Sequence, residues 1–325
     1  MAGELVAGVD LGGTKILTVL ADRAGRVLAR VKVATPARRG QDDVINTIVE
    51  TVHEAIRLSG APAEKVCATG VVAPGPLDPD RGLVFLAPNL GWKDVPLGTM
   101  MAERLNLPVY LDNDANLAAL GEHVYGAGRH ATHMVYITVS TGVGGGLILD
   151  GRVYHGAGGG AGEIGHVTVA PEGPVCNCGN TGCLEAVASG TAMARRARTL
   201  VDDGRGAGIL AAAGGNPEQI SARSVSEAAA AGDAEAVVIL QDAGRYLGLA
   251  VAGVINLLNP SAVVLGGGVM QSAPALWDAM LTEVHRRTLE SSLAAVRVVR
   301  GTLGGDAGAL GAVALALDRT EGRRQ

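Results

Sequence analysis

The sequence predicts an α/β fold built from two related domains, and three features carry that expectation. Apolar strand-like runs alternate with helical stretches, a hairpin-rich plan occurs twice, and helical spacing lies between and after the two copies. The first copy, "ELVAGVDLGGTKILTVLADRAGRVLARVKVAT" (4–35), reads as three antiparallel strands joined by tight turns at "GG" and "DRAG". The second, "HMVYITVSTGVGGGLILDGRVYHG" (133–156), repeats it: apolar strand, glycine turn with Thr141 and Gly142, apolar strand, "DG" turn, strand. Copies starting at residues 4 and 133 are too far apart for a solenoid period. They suit two domains that each open on a hairpin sheet, with the two glycine turns clamping phosphate across an interdomain cleft.

Each remaining element has its own signal. "DDVINTIVETVHEAIRLSG" (42–60) has helical spacing and ends at glycine. "KVCATGVVAPGPLD" (65–78) is a strand running into a proline-stiffened loop; its Cys67 reads as a small buried hydrophobe. "LPVYLDNDANLAALGEHVYG" (107–126) is a strand, an acidic turn and a helix. Beyond Cys183 the chain is alanine-rich and helical to residue 258, interrupted by "VDDGRGAGILAAAGGNPEQIS" (201–221), which reads as a polar surface loop. "SAVVLGGGVM" (261–270) is a strand ending in three glycines, and "GDAGALGAVALALDR" (305–319) is a closing helix. The expected domains are 1–118 and 119–304, with helix 305–319 packing back on the first.

Composition narrows the function. With 325 residues, 48% hydrophobic and 18% charged, the chain reads as globular, with two domains or one large one. A net charge of −5 argues against binding a nucleic acid backbone, and 2% aromatic residues argue against a base-stacking platform or an aromatic lectin groove. The start "MAGELVAGVD" lacks a basic region followed by an apolar one, and "LGLAVAGVINLLNP" (247–260) falls short of the roughly 20 apolar residues of a membrane helix. The expectation is a cytoplasmic protein with a small substrate, no membrane and no nucleic acid partner.

Three of the four cysteines lie in "HVTVAPEGPVCNCGNTGCLE" (166–185). His166, Cys176, Cys178 and Cys183 offer one imidazole and three thiolates, a set that suits tetrahedral zinc with no open position, so the metal would hold a loop. A redox pair and three unligated buried cysteines are the alternatives. In "DLGGTK" (10–15), amides freed by glycine together with Lys15 suit phosphate oxygens, and Asp10 suits magnesium held through water. Neither a Walker A sequence nor a dinucleotide fingerprint is present. "LDNDANLAALGE" (111–122) sets Asp112 and Asp114 around Asn113, with Asn116 nearby; the residues either cap a helix or supply a general base and a substrate-binding amide. Glu163, three residues before His166, and Glu185, two after Cys183, are tethered to the cysteine loop and suit a polyhydroxylated substrate.

In order along the chain, "DLGGTK", "APGPLD", "PNLGW", "NDAN", "STGVGGG", "GEIGH", "CNCGNTGCLE" and "LGGG" resemble the ROK family of sugar kinases and repressors, and within it the bacterial glucokinases. The resemblance runs over essentially the whole length. It implies an actin-like, ribonuclease-H-like two-domain kinase that uses ATP with Mg2+ to phosphorylate glucose at its 6-hydroxyl for glycolysis. Asp114 would be the base, and Gly75, Asn89, Asn113, Glu163, His166 and Glu185 would bind the sugar. Gly12, Gly13, Thr14, Lys15, Thr141 and Gly142 would hold phosphates, and Gly266, Gly267 and Gly268 would lie against the adenosine. His166 would then serve both zinc and sugar, and a homodimer or homotetramer is the expected assembly. Fructokinase, N-acetylmannosamine kinase and broad hexokinase use similar pockets, and a polyphosphate donor fits less well than ATP. A sugar-responsive regulator would carry a helix-turn-helix ahead of this region. Leu117 and the stretch 202–221 depart from the usual family pattern.

Overall fold

Strand β1 (Leu5–Leu11) sends alternate side chains into two different cores, which is why it reads as a continuous apolar run. Leu5, Ala7, Val9 and Leu11 join one cluster, and Val6 joins another. The computed structural model describes residues 4–322. Its contacts form two units: among the described residues, 4–130, 146–161 and 305–322 make the first, and 131–145 with 162–304 make the second.

In the first unit, β1, β2 (Lys15–Asp22) and β3 (Val27–Ala34) form the expected antiparallel meander. Leu11 pairs with Ile16, leaving residues 12–15 as the hairpin tip. Helix α1 (Gln41–Ser59) buries Val44, Ile45, Ile48, Val52 and Ala55 on one stripe. Asp42 and Asp43 complement the positive end of its dipole, and Gly60 ends it at φ 67°. Strands β4 (Val66–Val72), β5 (Leu77–Asp78), β6 (Leu83–Ala87) and β7 (Trp92–Val95) follow, then α2 (Leu97–Leu105), β8 (Val109–Asp112) and α3 (Asp114–Val124). The main sheet runs β3-β2-β1-β4-β8, with β4 and β8 parallel to their neighbours. Cys67, on β4, is half-buried. Strands β5, β6 and β7 make a separate antiparallel sheet that no sequence alternation announces. In β6 the adjacent Phe85 and Leu86 are both exposed, so the period-two signal is lost.

The second plan follows with β9 (Met134–Val139), β10 (Val143–Leu149) and β11 (Arg152–Val153). Residues 146–149 of β10 and all of β11 belong to the first unit. Helices α4 (Leu184–Ala188), α5 (Gly190–Asp202), α6 (Ala207–Ala212), α7 (Ala222–Ala230) and α8 (Ala234–Leu258) lead to β12 (Ala262–Gly266). Next come α9 (Gly268–Ser272), α10 (Pro274–Arg287), α11 (Glu290–Ala295) and β13 (Arg297–Arg300). The strand order is β11-β10-β9-β12-β13, with β12 parallel to both β9 and β13. By length and composition α8 could cross a membrane, but 56% of its apolar window is buried within the protein, chiefly against α10, as in a core helix.

The expected surface loop at 201–221 is partly folded. Ile209 and Ile220 are buried, and α6 forms around the first of them; buried apolar side chains outweigh the polar composition. The division of the chain also falls at Ala131, not at residue 119. Helix α3 stays whole in the first unit because it packs along α12 (Ala307–Gly322), which also covers β1 and β4.

That cover requires glycine. A Cβ on Gly8 of β1 would overlap the Ala309 carbonyl, and one on Gly70 of β4 would overlap the Ala312 carbonyl. The helix backbone therefore lies directly on the sheet. Gly70→Ala must push α12 away, at an expected cost of about 1–3 kcal/mol or more. A denaturant midpoint unchanged from wild type would contradict this packing.

Candidate active site

In the first unit, two loops and the hairpin tip converge. Gly12 N–H donates to the Lys15 carbonyl at 2.9 Å, and Thr35 holds the tip from behind: its Oγ1 donates to the Gly12 carbonyl at 2.7 Å and its N–H to the Thr14 carbonyl at 3.0 Å. A Cβ on Gly13 would lie 3.3 Å from the Asn89 Cβ, so the tip rests beside the exposed Asn89. Burial pushes the Asp10 carboxyl above the ordinary carboxylate range; Lys15 opposes the shift and Asp114 adds to it.

The acidic turn divides its duties. Asn113 is the N-cap of α3, accepting the Asn116 N–H on Oδ1 at 2.8 Å. Asp114, the first helical residue, is exposed, and one of its oxygens accepts the Ala115 N–H at 2.8 Å. Asp112 is buried, and Asn116 Nδ2 reaches its Oδ1 at 3.0 Å. Gly75, at φ 86°, sits where a Cβ would overlap the Leu86 carbonyl, which lays the proline loop onto β6. Ala73 N–H joins that loop to the Asp112 carbonyl at 3.0 Å.

In the second unit, the hairpin tip is seated by "SGT" (189–191), which the sequence reading missed although serine before an alanine-rich helix is a capping signal. Ser189 caps α5, Gly190 N–H donates to the Ser140 carbonyl at 2.7 Å, and Thr191 donates twice to the Thr141 carbonyl, from N at 3.2 Å and from Oγ1 at 2.8 Å. Glu185 accepts the Val143 N–H on Oε2 at 3.0 Å. It is thus tied to the hairpin as well as to the cysteine loop. A cavity of about 740 Å³ opens beside the tip, lined by Ser140, Thr141, Thr191, Arg198, Glu227 and Gly268. Of the three glycines at the end of β12 and just beyond it, only Gly268 lines the cavity; Gly266 and Gly267 abut the Tyr136 side chain and the Val139 backbone.

His166, Cys176, Cys178 and Cys183 come together, their ligand atoms within 4.8 Å of one another. Cys176 Sγ lies 3.8 Å from His166 Nδ1, and Cys178 Sγ lies 3.7 Å from Cys183 Sγ. Zn–S bonds near 2.3 Å set the edge of a thiolate tetrahedron at about 3.8 Å, so the donor set fits zinc. Desolvation and the neighbouring thiols push the Cys183 thiol up to about 11, whereas the Asn180 N–H holds that of Cys178 below its usual value. His166 turns Nε2 toward Glu163 Oε2, 4.0 Å away.

Hairpin-led α/β units with glycine tips and an acidic helix start define the actin-like class of phosphate-handling proteins. The family model for the ROK family matches residues 6–319, and the chain belongs to that family. It is 39% identical to a glucokinase of Halalkalibacterium halodurans, over 96% of this chain and 94% of that one. The structure of a ROK hexokinase from Thermus thermophilus superposes with TM-score 0.83 at 38% identity, covering 98% of this chain and 99% of that one. A ROK family glucokinase from Streptomyces griseus, solved with glucose and AMPPNP, gives 0.82 at 36% identity, covering 97% and 99%.

Thr191→Val removes one of the three bonds by which Gly190 and Thr191 seat the second hairpin, a loss of about 1 kcal/mol. Amide hydrogen exchange at residues 141–143 is expected to rise, with the rest of the second unit unchanged; wild-type exchange there would contradict the seat.

Proposed function

We propose that this protein transfers the γ-phosphoryl group of ATP to the 6-hydroxyl of glucose, giving glucose 6-phosphate and ADP. The similarity to glucokinases supports the substrates. Asp114 carries the chemistry: it is an exposed carboxylate at the start of α3, and Asn113 has taken over the capping. In the proposed reaction Asp114 accepts the hydroxyl proton, the sugar oxygen bonds to the γ-phosphorus, and the bond to the β–γ bridging oxygen breaks as ADP leaves.

Each unit contributes a phosphate-holding hairpin. Gly12, its N–H bonded to the Lys15 carbonyl, shapes the first turn, where Gly13 and Thr14 offer amides, Thr14 a hydroxyl and Lys15 an ammonium; Thr141 and Gly142 offer amides in the second, with the Thr141 carbonyl already engaged by Thr191 of α5 and the Gly142 carbonyl by the Ser140 N–H. Gly268, at the mouth of the cavity beside the second tip, takes the adenosine, with Gly266 and Gly267 shaping the strand end behind it. Asp10, whose burial disfavours an unpaired anion, is the residue that would hold Mg2+ through water, and the ion bound with ATP would neutralise phosphate charge. Gly75, Asn89 and Asn113 from the first unit and Glu163, His166 and Glu185 from the second bind sugar hydroxyls. Glu185 reads with the oxygen that the Val143 N–H leaves unused. Zinc on His166 Nδ1 and the three thiolates would fix the cysteine loop and leave Nε2 for the sugar. A cytoplasmic homo-oligomer is the proposed setting.

A coupled assay with ATP and a panel of hexoses tests the reading. Glucose is expected to give the highest kcat/KM; preference for fructose or N-acetylmannosamine would reassign the substrate within the family. Asp114→Asn is expected to lower kcat by about 10²–10⁴-fold with the fold intact. Near-normal turnover would refute the base. Elemental analysis of purified protein is expected to find one zinc per chain, and removal at low pH should follow protonation of the thiolates. A metal-free, fully active preparation would count against the zinc.

A further inference from the structure

Next to the proposed base lies a buried carboxylate to which the reaction gives no part. Asp112, at the end of β8, is 2% exposed. Its Oδ1 accepts the Asn113 N–H at 2.7 Å and the Asn116 side-chain amide at 3.0 Å, and its Oδ2 lies 2.6 Å from His155 Nε2. A buried carboxylate persists only where donors satisfy it, and these donors come from three places in the chain. Asn113 is the residue before the base, Asn116 belongs to the first turn of α3, and His155 stands in the loop after β11. The loop holds His155 firmly: Ala161 N–H donates to its carbonyl at 3.1 Å, and Gly156 turns the chain at φ 72°.

The terminal torsion of an aspartate is broad, so the carboxylate plane is set by its partners. Of the three donors, His155 alone binds Oδ2. Its pairing with Asp112 raises the imidazole pKa, a tendency that Asp80 reinforces and that burial and Arg319 oppose, so the ring is held toward its cationic form. Loss of His155 would free the carboxylate to rotate and leave its charge uncompensated beside the base.

We propose that His155 is a positioning residue for phosphoryl transfer: donating from Nε2 to Asp112, it fixes the carboxylate that holds Asn113, and so sets where the Asp114 carboxylate meets the sugar hydroxyl. This rests on Asp114 being the base. Small displacements of a reacting group are costly, on the order of a hundredfold for 1 Å.

The test compares three substitutions in the full-length enzyme. Gln places its amide NH2 at the reach of Nε2, Asn falls short of it, and Leu donates nothing. His155→Leu and His155→Asn are expected to lower kcat by about tenfold to a hundredfold with the KM for ATP nearly unchanged, and His155→Gln should recover most of the loss. Wild-type kcat in the Leu variant, or equal kcat in the Asn and Gln variants, would overturn the proposal. So would losses in kcat that track the folded fraction measured by circular dichroism. Because Asn and Gln are both polar and differ only in reach, their comparison stands even where Leu disrupts folding. Asp114→Asn run in parallel separates the two readings. Near-normal turnover there removes the base itself, whereas an inactive Asp114→Asn beside a fully active His155→Leu removes only the positioning role.

Discussion

Direct backbone-to-backbone contact through glycine is the constraint from which the working parts of this protein follow. In the first unit α12 lies on β1 and β4 at Gly8 and Gly70, so closely that a methyl group would overlap helix carbonyls. That contact covers one face of the sheet while α1 covers the other, and it makes the central strands apolar on both sides. The strand ends, Asp10 on β1 and Asp112 on β8, then emerge at one edge of a rigid layer. In the second unit the same device acts at a smaller scale: a Cβ on Gly190 would overlap the Ser140 carbonyl, and the start of α5 thereby clasps the hairpin tip. The chain's 48 glycines serve in part as contacts of this kind.

Charge is handled by division of labour. At the acidic turn, Asn113 caps the helix, Asp112 is buried and fully bonded, and Asp114 alone is exposed with an oxygen to spare. Three acidic or amide residues in a row thus take three different environments from one turn of backbone. The second unit does the same with Glu185, which gives one oxygen to the Val143 N–H and keeps the other. His166 likewise directs Nδ1 to the thiols and Nε2 toward Glu163. In each case a bond made within the protein by one atom fixes the orientation of the other.

Much of the fold was legible because its signals are local. Hairpins at "GG" and "DG", the stripe of α1 ended by Gly60, and the strand–turn–helix at 107–126 depend on neighbours in sequence, and all of them form. The β5-β6-β7 sheet was hidden because Phe85 and Leu86 face solvent side by side, and α6 because a single buried isoleucine outweighs a polar, glycine-rich stretch. The first unit also keeps α3 and 146–161, since α12 returns from the far end of the chain to pack on α3. No local pattern encodes such a return.

Spacing and residue chemistry survive without coordinates, so the α/β class, the duplicated hairpins, the Cys3His donor set and the ordered motifs of a ROK protein were legible in the sequence alone. Which member of each motif is left open depends instead on the folded arrangement. Asn113 rather than Asp114 became the cap, Gly268 rather than its two neighbours lines the cavity, and His155, 43 positions from Asp112, came within 2.6 Å of it. The physical reason is that a side chain's role is set by the hydrogen bonds already made around it. Those bonds join elements that only folding brings together.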